Sequence, residues 1–174
     1  GAPGDVVQVV KQLFDVGMLF SLAQNGAEIV KTYKRAQAKE AGYRETHPTL
    51  AATLDDTIAT GLAAMPFKEK VQSKFGDYPL LKRGYIGMRG HLTRPFSEDD
   101  FRHFAAQAAT LAAHIKTDTP LDFATLKYTG TNEQIAALKA NSFNNTKLDW
   151  LDGLKQINPA AYHYWMITQR LQNQ

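Results

Sequence analysis

Ser97-Glu98-Asp99-Asp100, followed by "FRHFAAQAATLAAHIK", constrains this chain more than any other stretch. A serine hydroxyl can accept a hydrogen bond from a backbone N–H of the first helical turn. Acids in that turn meet the positive end of the helix dipole. The pattern therefore predicts a helix that opens at Ser97 and runs to about Lys116. Phe101, Phe104, Ala105, Ala108, Leu111, Ala112 and Ile115 form its apolar stripe. Alanines fill most of the remaining positions, so a neighbouring helix can approach closely. On this reading His103 and His114 lie opposite the Phe101 stripe, on the polar side with Gln107 and Thr110, as solvated histidines.

The rest of the chain agrees with a helical fold. Asp5 can cap a first helix whose wide face carries Val6, Val9, Val10, Leu13, Phe14, Val16 and Phe20. Gln8, Lys11, Gln12 and Asp15 share its other face, and a membrane span would have to bury them, so this apolar run is not read as one. Asn25-Gly26 marks a stop or kink. A second helix over about 27–41 has a basic outer face of Lys31, Lys34, Arg35 and Lys39, and Gly42 is expected to end it. Thr46-His47-Pro48 opens a third, with Leu50, Leu54, Ile58, Leu62 and Met65 at spacings of three or four and Pro66 at its close. A short helix with Phe67, Val71 and Phe75 follows. After Lys116 come a short helix from Thr119-Pro120 to Tyr128, a capping box at Thr131-Asn132-Glu133-Gln134, a helix over 146–157 and one over 159–172. No stretch alternates with period two for long enough to suggest a strand. The expectation is one compact all-α domain over 1–174, bundle-like, with about seven to nine helices.

"KRGYIGMRGHLTR", residues 82–94, is the unusual segment. Gly84, Gly87 and Gly90 recur every three residues among Lys82, Arg83, Arg89 and Arg94, and no acid lies between Asp77 and Glu98. Glycines in a loop could present backbone N–H groups to a phosphate. No Gly-Lys-Ser/Thr follows, and no strand precedes, so neither the Walker loop nor the dinucleotide fingerprint is present. On a helical wheel Leu81, Tyr85, Met88 and Leu92 instead share one face, with Lys82 and Arg89 together beside it. Helix and loop both stay open. Both leave a one-sided basic stretch that would suit an acidic protein or lipid surface, or a nucleic acid.

Composition removes several kinds of chemistry. The chain has no cysteine, so disulfides, thiolate metal sites and a thiol nucleophile are excluded. Hydrophobic residues make up 44%, enough for a core without such staples. A net charge of +3 and a pI near 9.1 are only mildly basic, well short of a nucleic-acid-coating protein. No signal peptide is visible. The chain opens Gly-Ala-Pro-Gly without methionine, as at a processed or engineered start. His103 and His114 would stand about 16 Å apart on one helix, too far for one metal. Asp55-Asp56 and Glu98-Asp99-Asp100 are neighbours in sequence that do not converge on a helix, so neither reads as an acid–base pair. Neither His-Glu-x-x-His nor Gly-x-Ser-x-Gly occurs. Asn144-Asn145-Thr146 fits the glycosylation sequon. No catalytic residue, metal or cofactor is expected.

The last helix carries more apolar surface than one packed face needs. Ala161, Tyr164, Trp165, Thr168 and Leu171 make one stripe, Tyr162 and Met166 a second side, and Ile167 a third. Either the helix is inserted between others of the same domain, or Tyr162, Trp165 and Met166 anchor a partner, since aromatics and Met concentrate in the buried centres of interfaces.

Two segments resemble known helical subunits. Residues 110–143, "TLAAHIKTDTPLDFATLKYTGTNEQIAALKANSF", with Leu121-Asp122-Phe123 at the turn between two helices, resemble a stretch of the peripheral-stalk subunit d of mitochondrial ATP synthase. Residues 78–115, from "YPLLKRGYIGMRGHLTR" into the alanine-rich helix, are similar in pattern to the Q-type extrinsic protein of photosystem II. Both resemblances imply a small non-catalytic accessory subunit on a large, membrane-associated complex of an energy-transducing organelle, in the thylakoid lumen or the mitochondrion. Its docking residues would be Lys82, Arg83, Arg89 and Arg94 for an acidic protein surface, and Tyr162, Trp165 and Met166 for an apolar one. A nucleic-acid-binding helical protein using 82–94 is the alternative.

Overall fold

A computed structural model describes residues 3–22, 25–43, 49–144 and 147–174 of the chain. Among these residues there are ten α-helices, one 3-10 helix and no strand: α1 Pro3–Leu22, α2 Gly26–Tyr43, α3 Leu50–Ala63, α4 Glu69–Gln72, α5 Tyr78–Arg89, α6 Glu98–Lys116, α7 Phe123–Leu126, α8 Asn132–Ala140, a 3-10 helix Asp149–Gly153, α9 Leu154–Ile157 and α10 Pro159–Gln172. The fold is all-α. Three of the helices, α4, α7 and α9, are single turns.

Local chemistry sets most helix starts. Ser97 accepts from the Asp100 N–H while Asp100 accepts from the Ser97 N–H, a reciprocal capping box. Thr131 and Gln134 repeat it at α8. Asn158, with Pro159 behind it, caps α10 through the Ala161 N–H. Other boundaries differ from the sequence pattern. The first helix begins at Pro3, ahead of Asp5, because proline fits an early helical position. The second passes through Gly42 to Tyr43. Thr49 caps α3 through the Ala52 N–H, and Thr46-His47-Pro48 lie outside the described residues. The segment 119–128 yields only α7, capped by Asp122, and 149–157 divides into a 3-10 turn and α9.

The centre of the fold is α6, which packs against α1, α3 and α10, while α1 also packs along α5. Small residues make this possible. A Cβ built on Gly61 of α3 would meet Ala105 O and Ala109 Cβ of α6, each at 3.0 Å. One on Gly17 of α1 would overlap the Phe104 ring. Helix backbones thus approach more closely than larger side chains would permit.

Because α6 is covered on several sides, its expected polar face is interior. Gln107, Thr110 and His114 are buried and His103 is half-buried, so the solvated histidines read from the sequence are corrected. Thr110 Oγ1 lies 2.8 Å from Thr168 Oγ1 and donates to a backbone carbonyl. The Tyr164 hydroxyl accepts from the Gln107 amide and the Tyr128 N–H. The His103 ring stacks on Tyr164 at 5.7 Å. These contacts let α10 cover a side of α6 that carries polar atoms.

The C-terminus of α6 closes in a Schellman turn. Asp118 takes a left-handed φ of 52°, the Asp118 N–H donates to Ile115 O and the Thr119 N–H to His114 O. The chain folds back far enough that Thr119 O accepts from His114 Nδ1 at 3.1 Å.

Candidate interaction surface

The segment 82–94 is a helix followed by a turn. In α5, Leu81, Gly84, Tyr85 and Met88 are buried, which faces them to the core. The N–H groups of Gly84 and Gly87 belong to the helical ladder and are not displayed to an anion. Gly90 has φ −66°, and a Cβ there would meet only Gly87 O at 3.6 Å. No left-handed or nest conformation occurs at it.

The opposite side of α5 is basic. Lys82, Arg83 and Arg89 are exposed, with Ile86 among them at 55% exposure. Lys82, Ile86 and Arg89 follow one another at spacings of four and three, so they form one row on the outer face. None of Lys82, Arg83 and Arg89 has an ion-pair partner among the described residues. The Arg89 guanidinium lies 5.8 Å from the Tyr85 ring.

Arg94 belongs to the same basic stretch but sits differently. Its guanidinium lies 5.5 Å from the Phe14 ring and 5.9 Å from Phe104, and Nη2 is 3.4 Å from Met18 Sδ. It covers an aromatic cluster formed by α1, α6 and Phe96, in which Phe14 meets Phe96 edge-on at 5.3 Å. The Tyr85 hydroxyl donates to Phe96 O at 3.0 Å and ties this turn back to α5. Lys82, Arg83 and Arg89 thus point outward from a fixed helix, and Arg94 is partly engaged in holding the turn.

Tyr162, Trp165 and Met166 do not form a docking surface. They are 0%, 2% and 4% exposed, because α10 is inserted against α6, α8 and α9. The partner contact expected from these three residues is corrected to an internal one. Tyr162 packs edge-on to Phe143, and its hydroxyl donates to Asp152 and accepts from the Asn141 amide. Burial, with the Asp152 carboxylate beside it, pushes this phenol up to about 12.

The acidic clusters are accounted for structurally. Glu98 and Asp99 pair with the buried Arg102, which also donates to Pro66 O. Asp55 pairs with Lys116. Among the described residues no three His, Asp or Glu side chains converge closely enough to hold a metal ion, and no helix is long and apolar enough to cross a membrane. Of the Asn144-Asn145-Thr146 sequon, Asn144 is exposed, and the other two residues lie outside the described ones. No known protein family, curated protein or solved structure matches the chain.

Proposed function

We propose that this chain is a non-catalytic helical accessory subunit that docks onto an acidic protein surface of a larger complex through the outer face of α5. One observation carries this reading: Lys82, Arg83 and Arg89 stand exposed on a helix whose other side is fixed in the core, and no carboxylate of the described fold engages them. Charge of this kind contributes little to folding, since exposed ion pairs supply only about 0–1 kcal/mol each. It does steer association and fix orientation on a surface of opposite sign. Ile86 adds an apolar centre to the patch. The likeness of 78–115 and 110–143 to accessory subunits of organellar energy-transducing complexes supports a partner of that class.

The test is recovery of partner subunits from the source by the intact chain and by Lys82→Glu/Arg83→Glu/Arg89→Glu. The wild type should retain a fixed set of protein subunits that increasing salt releases, and the triple variant should lose them with its thermal midpoint unchanged. Retention of the same set by the triple variant would sink the reading. Recovery of nucleic acid alone, released by salt, would replace it with nucleic-acid binding.

A further inference from the structure

The second helix, α2, carries a surface that docking through α5 does not use. Its inner side is fixed: Ile29 and Tyr33 are buried, and the Tyr33 hydroxyl lies 3.2 Å from Thr57 Oγ1 of α3. Its outer side is basic. Lys31, Lys34, Arg35 and Lys39 are all exposed. Lys31, Arg35 and Lys39 recur every four residues, so they form one row along the helix, with Lys34 beside it. Residues 26–39 contain these four cations and one acid, Glu28, a net charge of +3 that equals that of the whole chain. The mildly basic average therefore conceals a concentrated local field.

The described fold leaves this charge unpaired. None of the four cations has an ion-pair partner among the described residues. Asp56 acts on the Tyr33 phenol, on the packed side. Asp118 lines the same cleft as Lys34 without pairing with it. Asp55 is taken by Lys116.

The side chains around the row narrow the choice of partner. Thr32, Ala36 and Ala38 are exposed among the cations, and they are small. Nothing there supplies the apolar or aromatic centre that a protein interface buries, as Ile86 does on α5. A helix lying on a membrane sets bulky apolar residues beside its cations, whereas here Ile29 and Tyr33 are buried and Val30 packs against the core. Single-stranded nucleic acid is held by exposed aromatic rings on which bases stack, and Tyr33, the aromatic residue of 26–39, is buried. A duplex backbone asks for none of these. It presents regularly spaced phosphates on a rigid surface, and small residues between the cations let it come near. From Lys31 to Lys39 the row is about 12 Å long, over which one strand carries about three phosphates. We propose that the outer face of α2 binds the phosphate backbone of double-stranded nucleic acid without reading its sequence. The surface is separate from the basic face of α5 and stands or falls independently of it.

The test is fluorescence anisotropy of a labelled DNA duplex titrated with the full chain at increasing salt. Saturable binding is expected, alike for two unrelated sequences, with log affinity falling against log salt at a slope of about −3.6 for four contacts. Lys31→Gln/Arg35→Gln/Lys39→Gln should weaken binding roughly tenfold or more at low salt and flatten the slope to about −1. Glutamine is close to lysine and arginine in helix propensity, and circular dichroism and the thermal midpoint check that α2 is kept. Lys31→Arg/Lys39→Arg, which retains the charge, should bind as the wild type does. Lys82→Gln/Arg83→Gln/Arg89→Gln should leave duplex binding unchanged. No binding at low salt, a slope near zero, or full binding by the α2 glutamine variant would overturn the proposal. So would loss of binding in the α5 variant alone, or capture by phosphatidylserine vesicles with none by the duplex, which would make the face a membrane contact.

Discussion

The first turns of α6 and the outer face of α5 are both rich in charge, and the fold treats them in opposite ways. At α6, Asp100 caps the helix, and Glu98 and Asp99 hold a buried Arg102 that reaches across to Pro66 O. At α5, Lys82, Arg83 and Arg89 meet no carboxylate among the described residues. The first set is committed to the fold, and the second is left for something outside it. Charge content alone does not separate the two, whereas the partners of each charge do.

Substitutions can break this contrast or sharpen it. The largest effect is expected deep on the α6 side. Tyr164→Ala would remove a buried ring that packs on Phe20 and His103 and would strand the Gln107 amide and the Tyr128 N–H. A loss of about 4 kcal/mol in chemical denaturation is expected. Arg102→Leu comes next, at about 2 kcal/mol by the same measurement. It removes the Arg102 donor from Pro66 O, which keeps only the longer bond from the Gln72 amide at 3.3 Å, whereas Glu98 and Asp99 are open enough to be solvated. If Arg102→Leu were silent, the division between committed and free charge would lose its basis.

A graded effect follows from pH. His103, His114 and His163 all have their values lowered in the fold, chiefly by burial. Above about pH 7 they are neutral in both folded and unfolded chain. As pH falls through the ordinary histidine value, the unfolded chain takes up protons that the folded chain resists, so stability drops. Thermal midpoints measured from pH 7.5 to 5 should fall steadily. The opposite sign applies at high pH: Tyr162, held up to about 12, makes the fold lose stability above about pH 10, where the unfolded phenol ionises first. A flat profile across pH 5–7.5 would contradict the interior placement of the three histidines. The smallest effect belongs to α5. Lys82→Gln/Arg83→Gln should change stability by no more than about 0.5 kcal/mol while weakening any complex that this face makes.

What could be read from the sequence was local. The caps at Ser97, Thr131 and Asn158 work through atoms three residues away, so the starts of α6, α8 and α10 were legible. Alanine spacing along α6 correctly announced close neighbours, but not how many. Alanine suits a buried face as well as an exposed one, so His103 and Gln107 had no local marker of being covered by α10. The basic stretch was legible as charge. Its helical form was not, because three glycines weaken the helical signal that burial of Leu81, Tyr85 and Met88 restores. That His114, Asp122, Glu133 and Arg170 line one cleft was invisible for a different reason: it depends on the Schellman turn at Asp118 and the return of α10.

The two tryptophans stand in different surroundings. Trp165 is 2% exposed, and its ring lies 3.6 Å from the position of a Gly61 Cβ, where α3, α6 and α10 meet. Trp150 is half-buried beside Phe75, with Nε1 donating to Lys147 O. The chain therefore contains two optical reporters of different colour: Trp165 should emit at the blue edge and resist quenching by iodide, while Trp150 emits further to the red and is quenched. Replacing either with Phe leaves the other as a sole fluorophore. Comparing the two melting curves would show whether the helical centre and the connection after α8 come apart together or in sequence.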